Sequence, residues 1–584
     1  MRYPNPGGIM RFIHKIAILC LLLALGPMAM AKSKQQPPSP PQNQAPSPND
    51  QVADRIFYQE AKLVEDMRKY TPMVETYIQN MKPDRELGAV PSSDKYFLGR
   101  LSLNEKGIND TKFEDRARKL GFFSRVLDRL NSFYKMNYVP LGFMQLVFLN
   151  NGFDKDHYEL KYLRQQFLGE VRTVVFDVVP KPHNKGPHFV GRIWVEDQDY
   201  NIVRINGTYE PRSRMNFYFH FDSWRINMQP GIWLPAYIYT EESDAKYALL
   251  RGLSMKGQTR LWGYDLKHSG LQTEFTNMQV ESPAKDVSDN SGFGANETMP
   301  VHSQHMWERE AEDNVLDRLE RAGILAPDGD VSKVLQTVVT NMEVTNNLNI
   351  EPEVRCRVLL TTPLESFNIG HTIVISRGLL DVLPDEASLA MVLSHELAHI
   401  VLGHRLDTKY AFSDRMIFPD EEVFSEINVA QRDSDEQAAN QKGLELLQNS
   451  PYKDKLASAG LFLRVLESRS HDLTWLINPH FGNRMAKGNS VLKMAPLVQS
   501  APNLEAKNIQ QLPALPLGSR IKLDPWDDHV EMQKSKPVSL LSVRDKMSFE
   551  VAPVFPNLVR VSAGTSEIVQ KQDVQKQDVQ KQEK

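Results

Sequence analysis

Cysteine is almost missing from this sequence, which has only Cys20 and Cys356 among its 584 residues. Cys20 lies in an N-terminal segment that we predict to be removed, so Cys356 would remain alone and no intrachain disulfide could form. A chain of this length buries enough apolar surface to fold without disulfides. Cys356 lies in a strand-like apolar run with no residue nearby to activate it, which predicts a buried thiol and not a nucleophile.

Charge of one sign and long apolar runs are also missing. The formal net charge is -4, and no long block of residues carries a single sign. A nucleic-acid-binding protein would carry a basic face, so no nucleic-acid partner is expected. After the N-terminal segment, no stretch reaches the roughly twenty apolar residues that a membrane helix needs, which predicts a mature chain without a membrane span.

The N-terminus has the pattern of a cleaved export signal. Basic residues precede a short apolar run at 16–25, and small residues at 29–31 resemble a cleavage site. The apolar run is too short to span a bilayer, although an uncleaved anchor is the alternative. We therefore predict a signal peptide over residues 1–31 and an exported, periplasmic protein. Peripheral association with the membrane stays open.

Residues between 158 and 280 alternate between apolar and polar side chains. Turn-like residues at 196–199 and 229–231 separate runs with a period of two, which predicts successive antiparallel strands joined by hairpins. One face of this sheet would be rich in aromatic and aliphatic side chains. Either that face packs on a helix as an ordinary core, or it forms a concave half-barrel that holds an apolar ligand.

The run at 189–204 reads Phe-Val-Gly-Arg-Ile-Trp-Val-Glu-Asp-Gln-Asp-Tyr-Asn-Ile-Val-Arg. This pattern resembles the sheet of outer-membrane lipoprotein-sorting carriers, which wrap a hydrophobic half-barrel around an acyl chain. The resemblance implies a half-barrel-like sheet, with an apolar or lipoprotein ligand as a candidate partner. A shared fold by itself does not carry a shared function.

The most informative motif is His395-Glu396-Leu-Ala-His399, which reads H-E-x-x-H within an apolar, helix-forming run at 388–406. Residues four apart share one face of a helix, so His395 and His399 can bind one Zn²⁺ ion per chain. Glu396 is placed to act as general base for a water molecule that the metal activates. The alternative is an ordinary helix with two histidines and a solvated glutamate.

A catalytic zinc site takes three protein ligands and leaves one position open. His404 is five residues after His399, which rotates it by about 140° off the zinc-binding face. We therefore predict that His404 ends the helix or supports a ligand. Arg405 stands where the metzincin pattern has its third histidine, so that pattern is excluded. The acidic candidates for the third ligand lie downstream and are Glu426, Asp433, Asp435 and Glu436.

Four segments around the motif together resemble one known family. They are Ser366-Phe-Asn368, Ile373-Val-Ile-Ser-Arg-Gly-Leu-Leu380, Leu393-Ser-His-Glu-Leu-Ala-His-Ile-Val-Leu-Gly-His404 and Glu436-Gln-Ala-Ala-Asn440. Together they resemble the HtpX-like and CAAX prenyl protease-like family of gluzincin zinc metallopeptidases, over residues 307–485. The resemblance implies a zincin fold, polypeptide substrates and Glu436 as the third zinc ligand. For exported members it implies a role in quality control of envelope proteins.

Two positions depart from the pattern of that family. Asn440 stands where the family has an aspartate that supports a zinc-binding histidine from outside. Asn478 stands where the family has a histidine, which leaves open the group that would stabilise the tetrahedral oxyanion. His480 and Arg484 are the candidates for that role. Both departures motivate the alternative of a weakly active or vestigial site.

These patterns predict an α+β multidomain protein, in which an antiparallel, half-barrel-like β domain precedes a mainly helical zincin metallopeptidase domain with a small sheet. Residues 372–376 are predicted to form an edge strand that pairs with an extended substrate. The predicted segments are a signal peptide (1–31), a disordered Pro-rich linker (32–50), a helical region (51–157), the β domain (158–281), a second linker (282–305), the metallopeptidase domain (306–490), a C-terminal extension (491–560) and a low-complexity tail (561–584).

The predicted function is that of a zinc-dependent endopeptidase of the bacterial cell envelope. It would hydrolyse misfolded or misassembled exported proteins through a zinc-activated water, with Glu396 as the general base. The alternative is a chaperone-like protein, or a lipid- or lipoprotein-binding protein, with a weakly active or vestigial zinc site.

Overall fold

The computed structural model of the chain describes residues 48–84, 88–104, 107–112, 152–182, 188–210, 220–247, 250–264, 300–404, 427–505, 521–523, 530–532, 551–552, 556 and 558–561. The predicted signal peptide, most of the first linker and nearly all of the low-complexity tail lie outside the described residues. None of the helices in the described ranges is long and apolar enough to cross a membrane.

The first half of the chain forms a ten-stranded antiparallel sheet. Its strands are β1 (Met73–Asp84), β2 (Gly88–Asn104), β3 (Gly107–Lys112), β4 (Tyr158–Leu168), β5 (Val171–Pro180), β6 (His188–Glu196), β7 (Ile202–Glu210), β8 (His220–Gln229), β9 (Ile232–Tyr247) and β10 (Leu250–Trp262). They lie in the order β3-β2-β1-β10-β9-β8-β7-β6-β5-β4. Within the described residues, the edge strands β3 and β4 do not pair with each other, so the sheet is open.

The sheet begins earlier in the chain than the sequence predicted. A helix, α1 (Pro48–Met67), is followed by β1, which pairs with both β2 and β10. The predicted helical region over residues 51–157 is therefore wrong for β1, β2 and β3, and residues 113–151 of it lie outside the described residues. Tyr77 is buried in one apolar cluster and its neighbour Ile78 in another, so both faces of β1 are covered. A strand that is buried on both faces loses the apolar-polar alternation by which strands are predicted.

One face of the sheet is covered by α1. Met67 of α1 and Ile193 of β6 belong to the same apolar cluster. At the edge of this cluster, the guanidinium group of Arg225 donates to both carboxylate oxygens of Glu60, at 2.7 and 2.9 Å. Of the two interpretations of the aromatic face, packing on a helix is therefore the one that the structure shows.

The other face of the sheet is attached to the C-terminal half of the chain through two buried carboxylates. Glu75 accepts hydrogen bonds from the main-chain N–H and the hydroxyl of Thr362, at 2.5 and 2.7 Å. Asp94 accepts from the main-chain N–H groups of Trp475 and Leu476. Burial raises the pKa of both carboxyl groups. These bonds join two loops of the C-terminal half to the sheet, one of which directly precedes the strand at Ser366–Ile369.

The second half of the chain is mainly helical and carries a small three-stranded sheet. Its elements are α2 (Pro300–Arg321), α3 (Asp330–Thr345), β11 (Arg355–Leu359), β12 (Ser366–Ile369), β13 (Thr372–Ser376), α4 (Arg377–Val382), α5 (Glu386–Val401), α6 (Asp433–Gln448), a 3₁₀ turn (Lys453–Lys455), α7 (Leu456–Arg469), β14 (Ala486–Lys487), β15 (Ser490–Val491) and α8 (Pro496–Ser500). The predicted α+β fold class is confirmed. The predicted linker over 282–305 is too long, because α2 begins at Pro300.

The small sheet has the order β11-β13-β12, with β13 at its centre. β13 pairs in parallel with β11 and antiparallel with β12. The prediction that residues 372–376 form an edge strand is therefore wrong. All five of these residues are buried, as expected of a strand with neighbours on both sides. The edge strand beside the motif helix α5 is β12.

The described end of the chain returns to the large sheet. A short three-stranded sheet consists of β16 (Ile521–Leu523), β17 (Val530–Met532) and β18 (Val551–Ala552). Beyond it, the carbonyl oxygen of Leu558 accepts from Glu170 N at 2.9 Å, and Arg560 pairs with Glu196 at 2.8 Å. The end of the predicted C-terminal extension therefore packs on the turns of the β domain.

Candidate metal centre

The helix α5 carries the H-E-x-x-H motif, and its ends explain its length. Asp385 caps the N-terminus, because its carboxylate accepts a hydrogen bond from Ser388 N at 2.8 Å. Gly403 follows the C-terminus with a φ of 66°, a conformation that favours glycine. Both histidines and the glutamate of the motif are no more than 1% exposed. The two histidines and the glutamate of the motif therefore all lie inside the protein.

The helix α6 packs closely against α5 and brings Glu436 to the two histidines. At Gly443 the two helices nearly touch, since a Cβ atom there would lie 3.1 Å from the carbonyl oxygen of Ser394. Glu436 is in the first turn of α6, where a carboxylate suits the helix dipole. Its Oε2 lies 3.2 Å from His395 Nε2, and its Oε1 lies 3.5 Å from His399 Nε2.

The spacing of these three donors fits one zinc ion. His395 Nε2 and His399 Nε2 are 3.2 Å apart, and one donor atom from each of the three residues lies within 4.8 Å of the others. Tetrahedral zinc with ligands at roughly 2.0–2.1 Å needs donors about 3.3 Å apart, and two imidazoles with one carboxylate are a donor set of catalytic zinc sites. Among the described residues, Asp433 and Asp435 belong to no such group. Glu426 lies outside the described residues.

Two of the three donors are held in the form that binds a metal. Burial lowers the pKa of His395, so its imidazole is neutral near pH 7. Burial by itself raises the pKa of Glu436, but the positive charge of Lys493 and hydrogen bonds with His395 and His399 lower it overall. A neutral imidazole and an ionised carboxylate are the forms that coordinate zinc, so little proton release is needed when the metal binds.

His404 lies beside the site and supports His399. The turn at Gly403 brings His404 back along α5, where its main-chain N–H donates to His399 O at 3.0 Å. Its Nδ1 lies 2.9 Å from Nδ1 of His399. A hydrogen bond at Nδ1 leaves Nε2 of His399 for the metal. His404 therefore lies just beyond the end of α5 and against His399, and its support of a metal ligand stays a prediction.

Comparison with protein families agrees with this geometry. The model of peptidase family M48 matches residues 333–459, which include α5 and α6. Over this segment the chain is similar to peptidase family M48. The family consists of metallopeptidases, so the resemblance to HtpX-like peptidases that the four motifs carry is confirmed at this level.

Outside residues 333–459 the comparisons support no assignment to a family. A DUF1329 family protein from Desulfovibrio piger is similar to 38% of this chain and to 93% of its own chain, at 9% identity and with a TM-score of 0.19. A TM-score this low supports no argument, so the resemblance of the β domain to lipoprotein-sorting carriers stays a prediction. No curated protein sequence matches the chain.

The side chain of Asn440 hydrogen-bonds to the main chain and, among the described residues, to no histidine. Its Nδ2 donates to Leu492 O at 2.8 Å, and its Oδ1 accepts from Met494 N at 2.6 Å. Both hydrogen bonds go to the main chain on either side of Lys493. In the part of the chain that the structure describes, His395 Nδ1 has no hydrogen-bond partner.

Among the described residues, neither candidate for oxyanion stabilisation, His480 or Arg484, forms a hydrogen bond with Glu396. The main-chain N–H of His480 donates to Glu365 at 3.1 Å, and its ring lies 5.3 Å from that of Tyr96. Arg484 is exposed. The side-chain hydrogen bonds of Glu396 go instead to Ser366 and Lys493. A role of His480 or Arg484 at a bound substrate stays a prediction.

Lys493 is the residue of this site that the sequence did not predict. Its side chain is buried, and Nζ donates to Glu396 Oε1 at 2.7 Å and to Ser366 O at 2.9 Å. Burial by itself lowers the pKa of Lys493, but Glu396 raises it overall, so the ammonium is charged. The available signal was a lone lysine in the apolar run Val-Leu-Lys-Met-Ala at 491–495. Lysine is almost never fully buried without a partner.

A Glu365→Gln substitution is expected to change how stability depends on pH. Burial raises the pKa of Glu365 to about 7, although the main-chain N–H groups of His480 and Phe481 donate to it. Because this pKa lies above the unfolded value of about 4.3, the folded state binds more protons in between. The free energy of unfolding should therefore fall by about 3 kcal/mol as the pH rises from 4.3 to 7.

Urea unfolding at pH values between about 5 and 8 measures this dependence. The Glu365→Gln variant has no titrating group at this position and should lack the decline, while its amide oxygen can still accept from the main chain. An equal decline in both proteins would assign the pH dependence to another group.

Proposed function

We propose that the chain is a zinc-dependent endopeptidase that holds one zinc ion through His395, His399 and Glu436. The observation that supports this most is the convergence of three buried donors from two helices, within a segment that matches a metallopeptidase family. A helix with two unrelated histidines would not bring a carboxylate from another helix to within 3.5 Å of both imidazoles.

In the proposed reaction, Glu396 is the general base. A zinc ion at this site supplies Lewis acidity, which acidifies water and polarises a carbonyl group. Glu396 accepts the proton of the attacking water and passes it to the amine that leaves when the peptide C–N bond breaks. Its Oε1 already accepts from Ser366 and Lys493, so we assign the proton transfer to Oε2.

We propose that an extended polypeptide substrate lies along β12. This strand forms the edge of the small sheet and packs against α5, and edge strands bind extended chains through main-chain hydrogen bonds. Because Ser366 O already accepts from Lys493, the substrate would pair with the main chain of β12 beyond Ser366. β12 would then have the role that the sequence had predicted for β13.

We propose misfolded or misassembled exported proteins as substrates and the cell envelope as the location. The export-signal pattern of the N-terminal sequence supports the location. The resemblance to HtpX-like peptidases supports the substrate class. Both proposals concern the physiological role, and the zinc chemistry of the site does not depend on them.

The alternative of a chaperone-like or lipid-binding protein with a vestigial site has less support. Asn440 stands where the family has an aspartate, and this difference was one reason for the alternative. Its side chain nevertheless forms hydrogen bonds to the main chain of Leu492 and Met494. The sheet face that would hold an apolar ligand is packed against α1.

Zinc analysis and an endopeptidase assay test the proposal on the purified full chain. We expect one zinc per chain in the wild type and none in His395→Ala. His471→Ala, which changes a histidine whose side chain is 88% exposed, should keep the zinc. The wild type should degrade dye-labelled, unfolded casein, a chelator should abolish this activity, and added zinc should restore it. A chain that binds zinc but leaves casein intact would contradict the endopeptidase proposal.

A further inference from the structure

We propose that Lys493 is a positioning residue of the active site, which holds the carboxylate of Glu396, and that Asn440 holds Lys493 in place. The inference deepens the proposed function and rests on Glu396 being the general base. It gives Asn440 a role that the pattern of the family does not predict.

Two hydrogen-bond donors meet at one oxygen of Glu396. Ser366 Oγ and Lys493 Nζ each lie 2.7 Å from Oε1. Lys493 also donates to Ser366 O at 2.9 Å, so the three residues form a closed set. In the described part of the chain, no hydrogen bond reaches Oε2 of Glu396. One carboxylate oxygen is thus held in place, and the other is left for the water whose proton it accepts.

Asn440 fixes the main chain on both sides of Lys493. It donates to Leu492 O at 2.8 Å and accepts from Met494 N at 2.6 Å. A side-chain amide can donate and accept at the same time, whereas an ionised carboxylate can only accept. Aspartate at this position would place an oxygen against the carbonyl oxygen of Leu492. The segment that carries Lys493 therefore explains why asparagine stands here.

The segment that carries Lys493 is packed into the fold. Met494 and Leu497, which follow it, are 1% and 3% exposed. The main chain beyond them is held by Arg464 of α7, whose guanidinium group donates to Val498 O at 2.7 Å. These buried contacts hold the segment in the fold. The ammonium of Lys493 is therefore a fixed partner of Glu396 and not a plug that leaves the cleft.

Steady-state kinetics of the zinc-loaded full chain on dye-labelled, unfolded casein test the role of Lys493. Lys493→Met keeps the length of the side chain but removes its donors, and we expect kcat to fall about 100-fold with KM within about twofold. Lys493→Arg keeps a charged donor and should recover about tenfold of that loss. Lys487→Met changes an exposed lysine of the neighbouring hairpin and should match the wild type. All three variants should bind one zinc per chain.

Two substitutions at position 440 test the link to Lys493. Asn440→Asp, which introduces the residue of the family, is expected to lower kcat about tenfold and not to raise it. Asn440→Ala should lower kcat by a similar factor in the wild type. In the Lys493→Met background it should cost less than about twofold, because Asn440 acts through Lys493. A residue that only stabilises the fold would lower kcat equally in both backgrounds.

Three results would overturn the proposal. Lys493→Met with kcat equal to or above that of the wild type would show that Lys493 does not serve the base. Asn440→Asp with a raised kcat, or losses at 440 and 493 that multiply fully, would remove the role of Asn440. If Lys493→Met does not fold, Lys493→Arg and the Asn440 variants carry the same test.

A wild type that is inactive on casein would contradict the proposed function, and melting temperatures would then still test the pairing of Lys493 with Glu396. Lys493→Met and Glu396→Gln should each lower the melting temperature of the zinc-loaded chain. The double variant should recover most of the loss, because it leaves no charge buried without a partner. If the melting temperature of the double variant fell by the sum of the two single losses, the pairing of Lys493 with Glu396 would be overturned.

Discussion

Replacing Glu396 by glutamine is expected to lower kcat on unfolded casein by about 10²–10⁴-fold, with zinc still bound. Glutamine has the shape of glutamate, and its amide oxygen can accept the hydrogen bonds that Ser366 and Lys493 now donate. Its amide nitrogen cannot take a proton from water. The three proposed zinc ligands are unchanged, so metal analysis should give one zinc per chain in both proteins. Initial rates at saturating casein measure kcat.

A matched control is Glu445→Gln, which changes a glutamate of α6 whose side chain is 58% exposed. It should leave both kcat and the zinc content unchanged. A Glu396→Gln variant that keeps more than a tenth of the wild-type kcat would show that another group accepts the proton. A variant that loses zinc would show that the glutamate is needed for the metal site itself.

Replacing Arg225 by methionine is expected to lower the free energy of unfolding by about 3–5 kcal/mol. The side chains of Arg225 and Glu60 are 3% and 4% exposed, and their bidentate pair joins β8 to α1. Methionine fills a similar volume but leaves the carboxylate of Glu60 buried without this cation. The cost is therefore that of a buried carboxylate that loses its bidentate guanidinium partner, and it exceeds the contribution of the pair itself. Urea unfolding followed by tryptophan fluorescence measures the difference.

Two further variants separate charge from packing. Arg225→Met with Glu60→Leu removes both charges and should recover most of the lost stability. Arg172→Met breaks an exposed pair with Asp197 on the same sheet and should cost less than about 1 kcal/mol. A double variant as unstable as Arg225→Met would show that the guanidinium group stabilises the protein by other contacts, such as its bond to Ile202 O.

The relative directions of side chains on one helix could be predicted from the sequence. The spacing of His395 and His399 defines their relative direction once a helix is assumed, because the period of the helix is invariant. The same geometry placed His404 off the metal face, and the structure shows it beside His399. Glu436, on another helix, could be selected among its acidic neighbours only through the resemblance to a known family.

The position of a strand within its sheet, and whether both of its faces are covered, could not be predicted from the sequence. β1 is buried on both sides, so its residues show no alternation and were assigned to a helical region. β13 shows an apolar run that is compatible with either an edge or a central strand, and only its pairing with β11 and β12 decides between them. In both cases the deciding neighbour is far away along the chain.

The sequence by itself determined that His395, Glu396 and His399 lie on one helix and that the β domain is antiparallel, because each of these follows from a short pattern within one segment. Only the tertiary structure decided that α1 covers the sheet and that Lys493 is paired with Glu396. It also decided that Asn440 serves the main chain beside Lys493 and not a histidine. These contacts join residues more than fifty positions apart, and they form only when packing brings their segments together.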